Sequence, residues 1–352
     1  MKQDSVRVEV STIGMDVGDK HSRICVLDAA GEIVEEGRIP TSATGLVRKF
    51  KSLERHRIVI ETGTHANWVH DLLVGMGHEV VVANARKLHA ISANERKCDE
   101  LDARMLARLG RSDLRLLQPV TVRPAQMRAD LCLIHAREAL VEARTALVNS
   151  ARGLAKTTGE RLPTCAAASL YKHKLEVKLE PALRPLMTAL EALEGQIKEC
   201  DNRIAELSRT RYPQTALLRH VKGVGPITSL YFVLAIADPK RFTDGRDVGA
   251  FFGLVPRRDQ SGAQDPQLRI SKCGDPLGRA LLVQCTHYIL GHFGPDSDLR
   301  RFGQRLEAQG GKRAKKRAIV ATARKLAVLL FALLRKSEVY EPLRNSAKSQ
   351  AS

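Results

Sequence analysis

The sequence predicts three consecutive structural units: a mixed α/β sheet domain, a long helical hairpin, and a mainly helical C-terminal domain. Three observations carry this reading. Strand and helix signals alternate over residues 6–117; strand signals vanish over 124–211, where apolar residues recur every three or four positions; and 214–345 brings Gly-rich turns and a long apolar helix. A chain of 352 residues, 43% hydrophobic and 27% charged, is long enough for two or three domains with sizeable cores. The expected boundaries are 1–117, 118–213 and 214–345, with 346–352 a disordered tail.

In the first unit, Val6 to Val17, Arg23 to Asp28 and Ile33 to Ile39 read as three antiparallel strands, the last two joined by an Ala-Ala-Gly turn. A helical stretch follows from Gly45 to Leu53, then a strand at Arg57–Glu61. A helix at Asn67–Met76, a strand at Glu79–Ala83 and a helical stretch from Arg86 complete the order βββ-α-β-α-β-α. In the second unit, Leu183, Leu186, Leu190, Leu193, Ile197, Cys200, Ile204 and Leu207 form a heptad seam. Upstream, Leu133, Ala136, Leu140, Ala143, Leu147, Ala151 and Leu154 have the same spacing, so an antiparallel coiled-coil hairpin is expected. Its loop holds Gly159 and Pro163, and Pro181 and Pro185 suit the opening of its second helix. Such a hairpin can be a plain spacer or a dimerisation element. The third unit opens with Leu218 to Pro226, whose Gly223-Val224-Gly225 turn between two helices makes a helix-hairpin-helix-like element. A turn of this kind aims backbone N–H groups at a phosphate, although it also serves as an ordinary turn. A polar stretch follows from Pro256 to Pro276, and the apolar helix Ile319–Leu334 should enter the core.

The charge narrows the function. Lys plus Arg number 57 against 39 Asp plus Glu, a net +18, which points to a polyanionic partner. Twelve of the cations and one acid, Glu307, lie between Arg300 and Lys336. Phosphate contact is therefore expected from Lys312, Arg313, Lys315, Lys316 and Arg317, and also from Lys222, Gly223, Gly225, Arg257, Arg258, Arg269 and Lys272. Aromatics are only 4%, which argues against a single-strand stacking platform. The seven scattered cysteines form no CxxC pair and read as reduced, mostly buried thiols rather than zinc ligands or disulfides. No apolar run reaches the roughly 20 residues of a membrane span, and MKQDSVRVEV has no apolar core of a signal peptide. A cytoplasmic protein with no membrane partner is the expectation.

Four acids of the first unit could do chemistry together. Asp16 sits within the first strand, Glu61 ends the fourth, and Asp99 and Asp102 lie three apart at a helix start. An oxygen-only set of this kind suits a hard cation such as Mg²⁺, and two such ions can clamp the attacking and leaving oxygens of a phosphodiester. Each acid singly has an ordinary explanation: Asp99 and Asp102 open a helix, and Glu61 caps a turn. The opening Gly14-Met15-Asp16-Val17-Gly18 also fits actin-like ATPases and sugar kinases, but no second phosphate loop or adenosine motif follows. In the third unit Ser261, beside Gly262 and near Arg257, Arg258, Arg269 and Lys272, could attack phosphorus. Ser-Gly is a commonplace turn, and Ser271 is the competing nucleophile.

Taken in order, Gly14–Gly18, Ile60–Gly63, Lys97–Ala103, Gly223–Pro226, Phe252–Pro256, Ser261-Gly262, Ile270–Gly274 and Ala323–Leu326 resemble the DEDD-type insertion-sequence transposases, the family numbered one hundred and ten. These are bridge-RNA-guided DNA recombinases. The resemblance implies a RuvC-like, RNase H-fold N-terminal domain and a C-terminal transposase domain. It implies Asp16, Glu61, Asp99 and Asp102 as metal ligands and Ser261 as the nucleophile of a phosphoserine link to DNA. It further implies double-stranded donor and target DNA, a noncoding guide RNA, and a homodimer pairing into a tetramer in which the two sites meet across subunits. The setting would be the nucleoid of a prokaryotic cell. Two departures stand near the serine: Ser261-Gly262 runs into Ala263-Gln264-Asp265-Pro266 instead of a second glycine and basic residues, and the usual Lys-x-Gly-Asn is Lys272-Cys273-Gly274-Asp275. The rival readings are a structure-specific hydrolytic endonuclease using water, a non-enzymatic nucleic-acid binder, and a kinase-like ATPase.

Overall fold

The computed structural model describes residues 11–85, 98–175, 178–261, 266 and 268–344. The chain divides into two compact units, residues 1–122 and 123–352.

Unit 1 is built on strands β1 (Thr12–Asp16), β2 (His21–Leu27), β3 (Ile33–Pro40), β4 (Arg57–Glu61) and β5 (Glu79–Ala83). They form one sheet in the order β3-β2-β1-β4-β5. β2 is antiparallel to both β1 and β3, whereas β4 is parallel to β1 and to β5. This mixed sheet with flanking helices fits an RNase H-like domain. Side-chain alternation gives it two faces. Ile13, Met15, Ile58 and Ile60 face helices α1 (Ala43–Phe50) and α2 (Ala66–Gly75), where Leu46, Phe50, Val69 and Leu73 complete a core. Burying each of these side chains contributes about 1.5–3 kcal/mol. Ser42 starts α1, its Oγ accepting from the Gly45 N–H at 3.1 Å. The opposite face takes α3 (Asp99–Ser112), with Leu106 packed against Val59 and Val81. The helical stretch expected from Arg86 falls outside the described residues up to position 97.

Unit 2 opens with two long helices, α4 (Ala125–Thr157) and α5 (Glu180–Thr210). They run antiparallel, since Arg137 pairs with Asp201 at 2.6 Å and Arg144 with Glu194 at 2.7 Å. The α5 seam is as read from the sequence, with Leu183, Leu190, Ile197 and Ile204 buried. The α4 seam is not. Its buried positions are Asp130, Ile134, Val148, Ala151 and Ala155, whereas Ala136, Ala143 and Leu154 are exposed. The true stripe is displaced by about one position because Arg137 and Arg144 lie on it, stems packed and heads paired. Pro181 sits in the first turn of α5, but Pro185 lies inside the helix rather than at its opening.

The hairpin and the C-terminal helices share one core. Ile134 and Ile204 cluster with Leu230, Phe232, Phe252, Leu282, Leu326 and Leu330. The last six come from α7 (Pro226–Ile236), the turn after α8 (Gly245–Phe251), α9 (Pro276–Leu290) and α11 (Ala314–Lys336). α6 (Thr215–Arg219) precedes α7, and α10 (Asp298–Ala308) lies between α9 and α11. The base of the hairpin is fixed by Asp130, 7% exposed, which accepts from Arg211 Nη1 at 2.8 Å and Tyr212 Oη at 2.7 Å. Burial opposes charge on Asp130, but the hydrogen bonds from Arg211, Tyr212 and Gln126 prevail and hold its carboxyl below the usual range. The buried Tyr212 phenol is pushed up to about 12. All seven cysteines are free thiols; contrary to expectation only Cys25 and Cys285 are buried. Among the described residues no helix is long and apolar enough to cross a membrane.

Candidate active site

The four acids singled out in the sequence belong to unit 1, and its sheet explains their placement. β1 and β4 are parallel neighbours in register, Met15 opposite Ile60, so Asp16 and Glu61 sit at adjacent C-terminal strand ends. Both lie on the α3 face, because Asp16 is two residues beyond Gly14 and Glu61 two beyond Val59. The helix is drawn onto that face by Gly14: a Cβ there would stand 2.1 Å from the Ala103 carbonyl oxygen and 2.3 Å from the Ala107 nitrogen. Asp99 and Asp102 occupy the first turn of α3, Asp99 exposed and Asp102 buried. Sequence reasoning found the acids and quoted Gly14 in the motif around Asp16, but not its packing role: its lack of a side chain sets how close α3 and Asp102 come to the strand ends.

All four carboxylates therefore belong to one face and one end of the sheet. Their donors are all oxygen, which fits a hard divalent cation rather than zinc or a soft metal. Among the described residues, no three His, Cys, Asp or Glu side chains are gathered closely enough to hold an ion. Glu100, in the same run of acids, is turned elsewhere: it pairs at 3.2 Å with Arg23, the β2 residue opposite Asp16 in register. A second feature missed from sequence is His65. The protein's single tryptophan, Trp68, donates its indole N–H to His65 Nδ1 at 3.0 Å. That bond leaves the proton on Nε2, which faces Asp19 at 3.2 Å. His65 thus joins the loop after β4 to the loop after β1, beside Glu61 and Asp16. Farther along, Arg104 holds Glu36 in a two-pronged pair that lowers the Glu36 carboxyl, while burial raises the Cys25 thiol next to them.

Ser261 belongs to unit 2 and is exposed. It follows the first strand of a short antiparallel ribbon in which Arg257 N–H donates to Arg269 O at 2.9 Å and Ser271 N–H to Val255 O at 2.8 Å. The ribbon grows from a compressed crossing. Gly253 (φ +64°) and Gly274 (φ +125°) press backbone on backbone; a Cβ on Gly274 would stand 2.2 Å from the Phe251 carbonyl. Lys272 is also left-handed, at φ +53°. Arg279 ties the crossing by donating to the Phe252 and Lys272 carbonyls. Asp275 caps α9, accepting from Gly278 N–H at 3.0 Å, and receives the buried Tyr231 hydroxyl at 2.7 Å and 2.6 Å. Burial first, and then the Asp275 charge, drive the Tyr231 phenol far above its ordinary value. Ser271, the competing nucleophile, is half-buried, and its Oγ accepts from Cys273 N–H at 3.3 Å.

The expected phosphate contacts Arg257, Arg258, Arg269 and Lys272 are all exposed around this ribbon. Lys222 is exposed on the helix–turn–helix, where Gly223 (φ +97°) lies against α9 and Gly225 precedes α7. Lys312, Arg313, Lys315, Lys316 and Arg317 are exposed around the N-terminus of α11, whose first turn has no acid. Cations there oppose the helix dipole and one another, so nearby negative charge from outside the chain is favoured.

Comparison with known proteins agrees in both units. The model of DEDD transposases of the IS110 type, described as "Transposase", matches residues 13–159, which include Asp16, Glu61, Asp99 and Asp102. A second model, "Transposase IS116/IS110/IS902 family", matches residues 215–302, which include Ser261. The chain is 27% identical over 94% of its length to the transposase for insertion sequence element IS1111A of Coxiella burnetii, covering 92% of that protein. It is 30% identical over 63% of its length to a probable family 20 transposase of Pseudomonas aeruginosa, covering 68% of it. It is 25% identical over 81% of its length to the pilin gene-inverting protein of Moraxella bovis, covering 82% of it. The chain belongs to the IS116/IS110/IS902 family of transposases.

Proposed function

We propose that this DNA transposase cuts and rejoins DNA through a covalent serine link, with Asp16, Glu61, Asp99 and Asp102 holding two Mg²⁺ ions. The observation that carries the reading is the placement of all four carboxylates on one face and one end of the unit 1 sheet, on the segment matched by the DEDD transposase model. The ions, when bound, would neutralise charge developing on the phosphate oxygens. Asp16 and Glu61 are fixed at neighbouring strand ends by the sheet and Asp102 is buried in the first turn of α3, so the four side chains would have only to turn toward one another for the ions to bind.

Ser261 supplies the nucleophile. Its Oγ–phosphorus bond forms as the phosphorus–deoxyribose oxygen bond breaks; the serine proton is lost and the released deoxyribose oxygen gains one. A phosphodiester replaces a phosphodiester, so the reverse attack by another DNA hydroxyl rejoins strands without an outside energy source. Arg257, Arg258, Arg269 and Lys272 hold the phosphate backbone beside Ser261, and the α11 cluster and Lys222 extend the basic surface to duplex DNA and a noncoding guide RNA. Homodimers pairing into tetramers would bring donor and target together.

The deciding experiment denatures the protein–DNA complex, with element DNA, co-purified RNA and Mg²⁺ present, and looks for DNA that stays attached to protein. The wild type should give an adduct at Ser261, and Ser261→Ala should give neither adduct nor cut. Cutting that survives in Ser261→Ala would establish instead a hydrolytic, RuvC-like endonuclease in which water attacks. Sequencing of the co-purified RNA tests the guide: one discrete element-encoded species supports it, and a smear of host RNA removes it.

A further inference from the structure

Aromatic side chains are scarce in this protein: eight Phe, five Tyr and one Trp. Among the described residues twelve of these are at least partly buried, and the two that stand exposed are Tyr288, 44% exposed, and Phe293, 80% exposed. They lie five residues apart, at the end of α9 and in the loop after it. Tyr288 meets the helix–turn–helix directly, since a Cβ on Gly223 would stand 2.9 Å from its ring. The neighbouring Lys222 and His220 edge a cavity of about 190 Å³ with Val221, Ile289 and Leu299 among its walls. The far end of the Phe293 loop, Pro295 to Ser297, lines the same cavity.

The loop that presents Phe293 is clamped. Arg300 Nη1 donates at 2.6 Å to both the Ile289 and Gly291 carbonyls. Gly294 sits so tightly that a Cβ would stand 2.1 Å from Ile289 O. A phenyl ring 80% exposed on a clamped loop, with the exposed Tyr288 ring five residues before it, is rigid aromatic surface open to a partner. The surroundings say which kind. His292 meets the Phe293 ring at 5.2 Å, and Lys222, His220 and His287 are exposed on the same elements. The nearby acid Asp296 is taken by Arg301 at 2.9 Å and 2.6 Å. A flat apolar ring among cationic and imidazole groups matches a nucleobase with its phosphate, since every base offers a π-face and every linkage a negative charge.

We propose that this face binds an unstacked nucleobase, its ring stacked on Phe293 and its neighbouring phosphate on Lys222. It is a site for unpaired or strand-separated nucleic acid: Lys222 serves paired and unpaired strands alike through the phosphate, and the Phe293 ring adds the preference for an unstacked base. The inference rests on the reading of this chain as a nucleic-acid enzyme, but not on Ser261 as nucleophile.

The test uses the full-length protein and pairs of labelled duplexes identical except for one unpaired adenine, replaced by a fluorescent analogue that dims on stacking. The wild type should prefer the bulged duplex and dim the analogue. Phe293→Ala should reduce binding of the bulged duplex on the order of tenfold, leave the paired duplex unchanged and abolish the dimming. Phe293→Trp should restore all three. An equal loss on both duplexes, or unchanged bulge binding in Phe293→Ala, overturns the proposal. A fall in oligomeric mass by light scattering in Phe293→Ala, with the bulge preference intact, also overturns it and assigns the ring to a contact between copies. A wild type that binds paired duplex without preference sinks this inference alone, whereas one that binds no nucleic acid sinks the proposed function with it.

Discussion

The carboxylate corner of unit 1 and the serine ribbon of unit 2 are built in opposite ways. Asp16, Glu61 and Asp102 stand on two parallel strands and a helix that a bare glycine lets lie flush on the sheet. Ser261 stands exposed beyond a ribbon whose base is a knot of left-handed backbone at Gly253, Lys272 and Gly274. The contrast has a physical logic. Like charges placed at one end of a sheet repel one another, so their backbones need a scaffold that holds them there. A nucleophile that must reach into a DNA backbone needs an exposed position, with a rigid base beneath it.

The largest expected effect strikes the corner chemically. Asp102→Asn keeps size and burial but removes a charge, so strand cleavage should slow on the order of a thousandfold while DNA affinity holds. Cleavage rates with matched binding isotherms check this, and chelation of Mg²⁺ should reproduce the loss. A cleavage rate within a few fold of wild type would remove Asp102 from the site.

Next comes the backbone that underlies each region. Gly14→Ala places a methyl group against the α3 backbone and should destabilise unit 1 by about 3 kcal/mol. Gly274→Ala adds both a clash and a left-handed alanine, with a similar cost confined to unit 2. Calorimetry resolves whether each substitution lowers one transition and spares the other. If both variants lower both transitions equally, the units do not melt independently.

The hairpin base should show a smaller, pH-dependent effect. Asp130→Asn weakens the hold on Arg211 and on the buried Tyr212 hydroxyl, and should cost about 2 kcal/mol at neutral pH. The native Asp130 carboxyl titrates below its unfolded value. Its contribution is therefore complete above the unfolded value near 3.9 and is lost as pH falls through the lower, native one. Denaturant midpoints of wild type and variant should converge on acidification below about pH 4. A gap that stays constant to pH 2 would show that the lost packing, not the charge, accounts for the cost.

Much of unit 1 is legible in the amino-acid sequence. Arg57–Glu61 and Glu79–Ala83 announce themselves because each is a short apolar β-branched run between turn residues. The four acids are legible as a set because their positions follow those elements. Contact over distance is not legible. Gly14 stands in a legible motif, but its packing role comes from Ala103 and Ala107, some ninety residues later, which nothing local announces. His65 is held by Trp68 on one side and by Asp19 of another loop on the other. The low aromatic content argues against a stacking platform, yet two rings placed outside suffice to pose the question again, because composition says nothing of exposure.

The α4 seam shows the same limit and yields the smallest expected effect. Hydrophobic periodicity selects the stripe Leu133, Ala136, Leu140, Ala143, Leu147, Ala151 and Leu154, of which Ala136, Ala143 and Leu154 are exposed and only Ala151 is fully buried, over the adjacent one through Ile134, Val148 and Ala155. The selection fails because Arg137 and Arg144 score as polar although their stems are packed and their charges are met by Asp201 and Glu194. Substitutions can separate the two stripes. Val148→Ala should cost roughly 1–2 kcal/mol, since it empties a site that is 2% exposed. Ala136→Glu and Leu154→Glu should fall within about 0.5 kcal/mol of wild type, because water already solvates those positions. Light scattering adds the second readout. If the glutamates leave stability untouched but halve the mass, the exposed stripe is where a second copy lies, and both seams on α4 are real: one closes the hairpin and the other joins chains. If mass and stability both hold, the outer stripe is only solvated surface, and the regularity that makes it legible has no structural consequence.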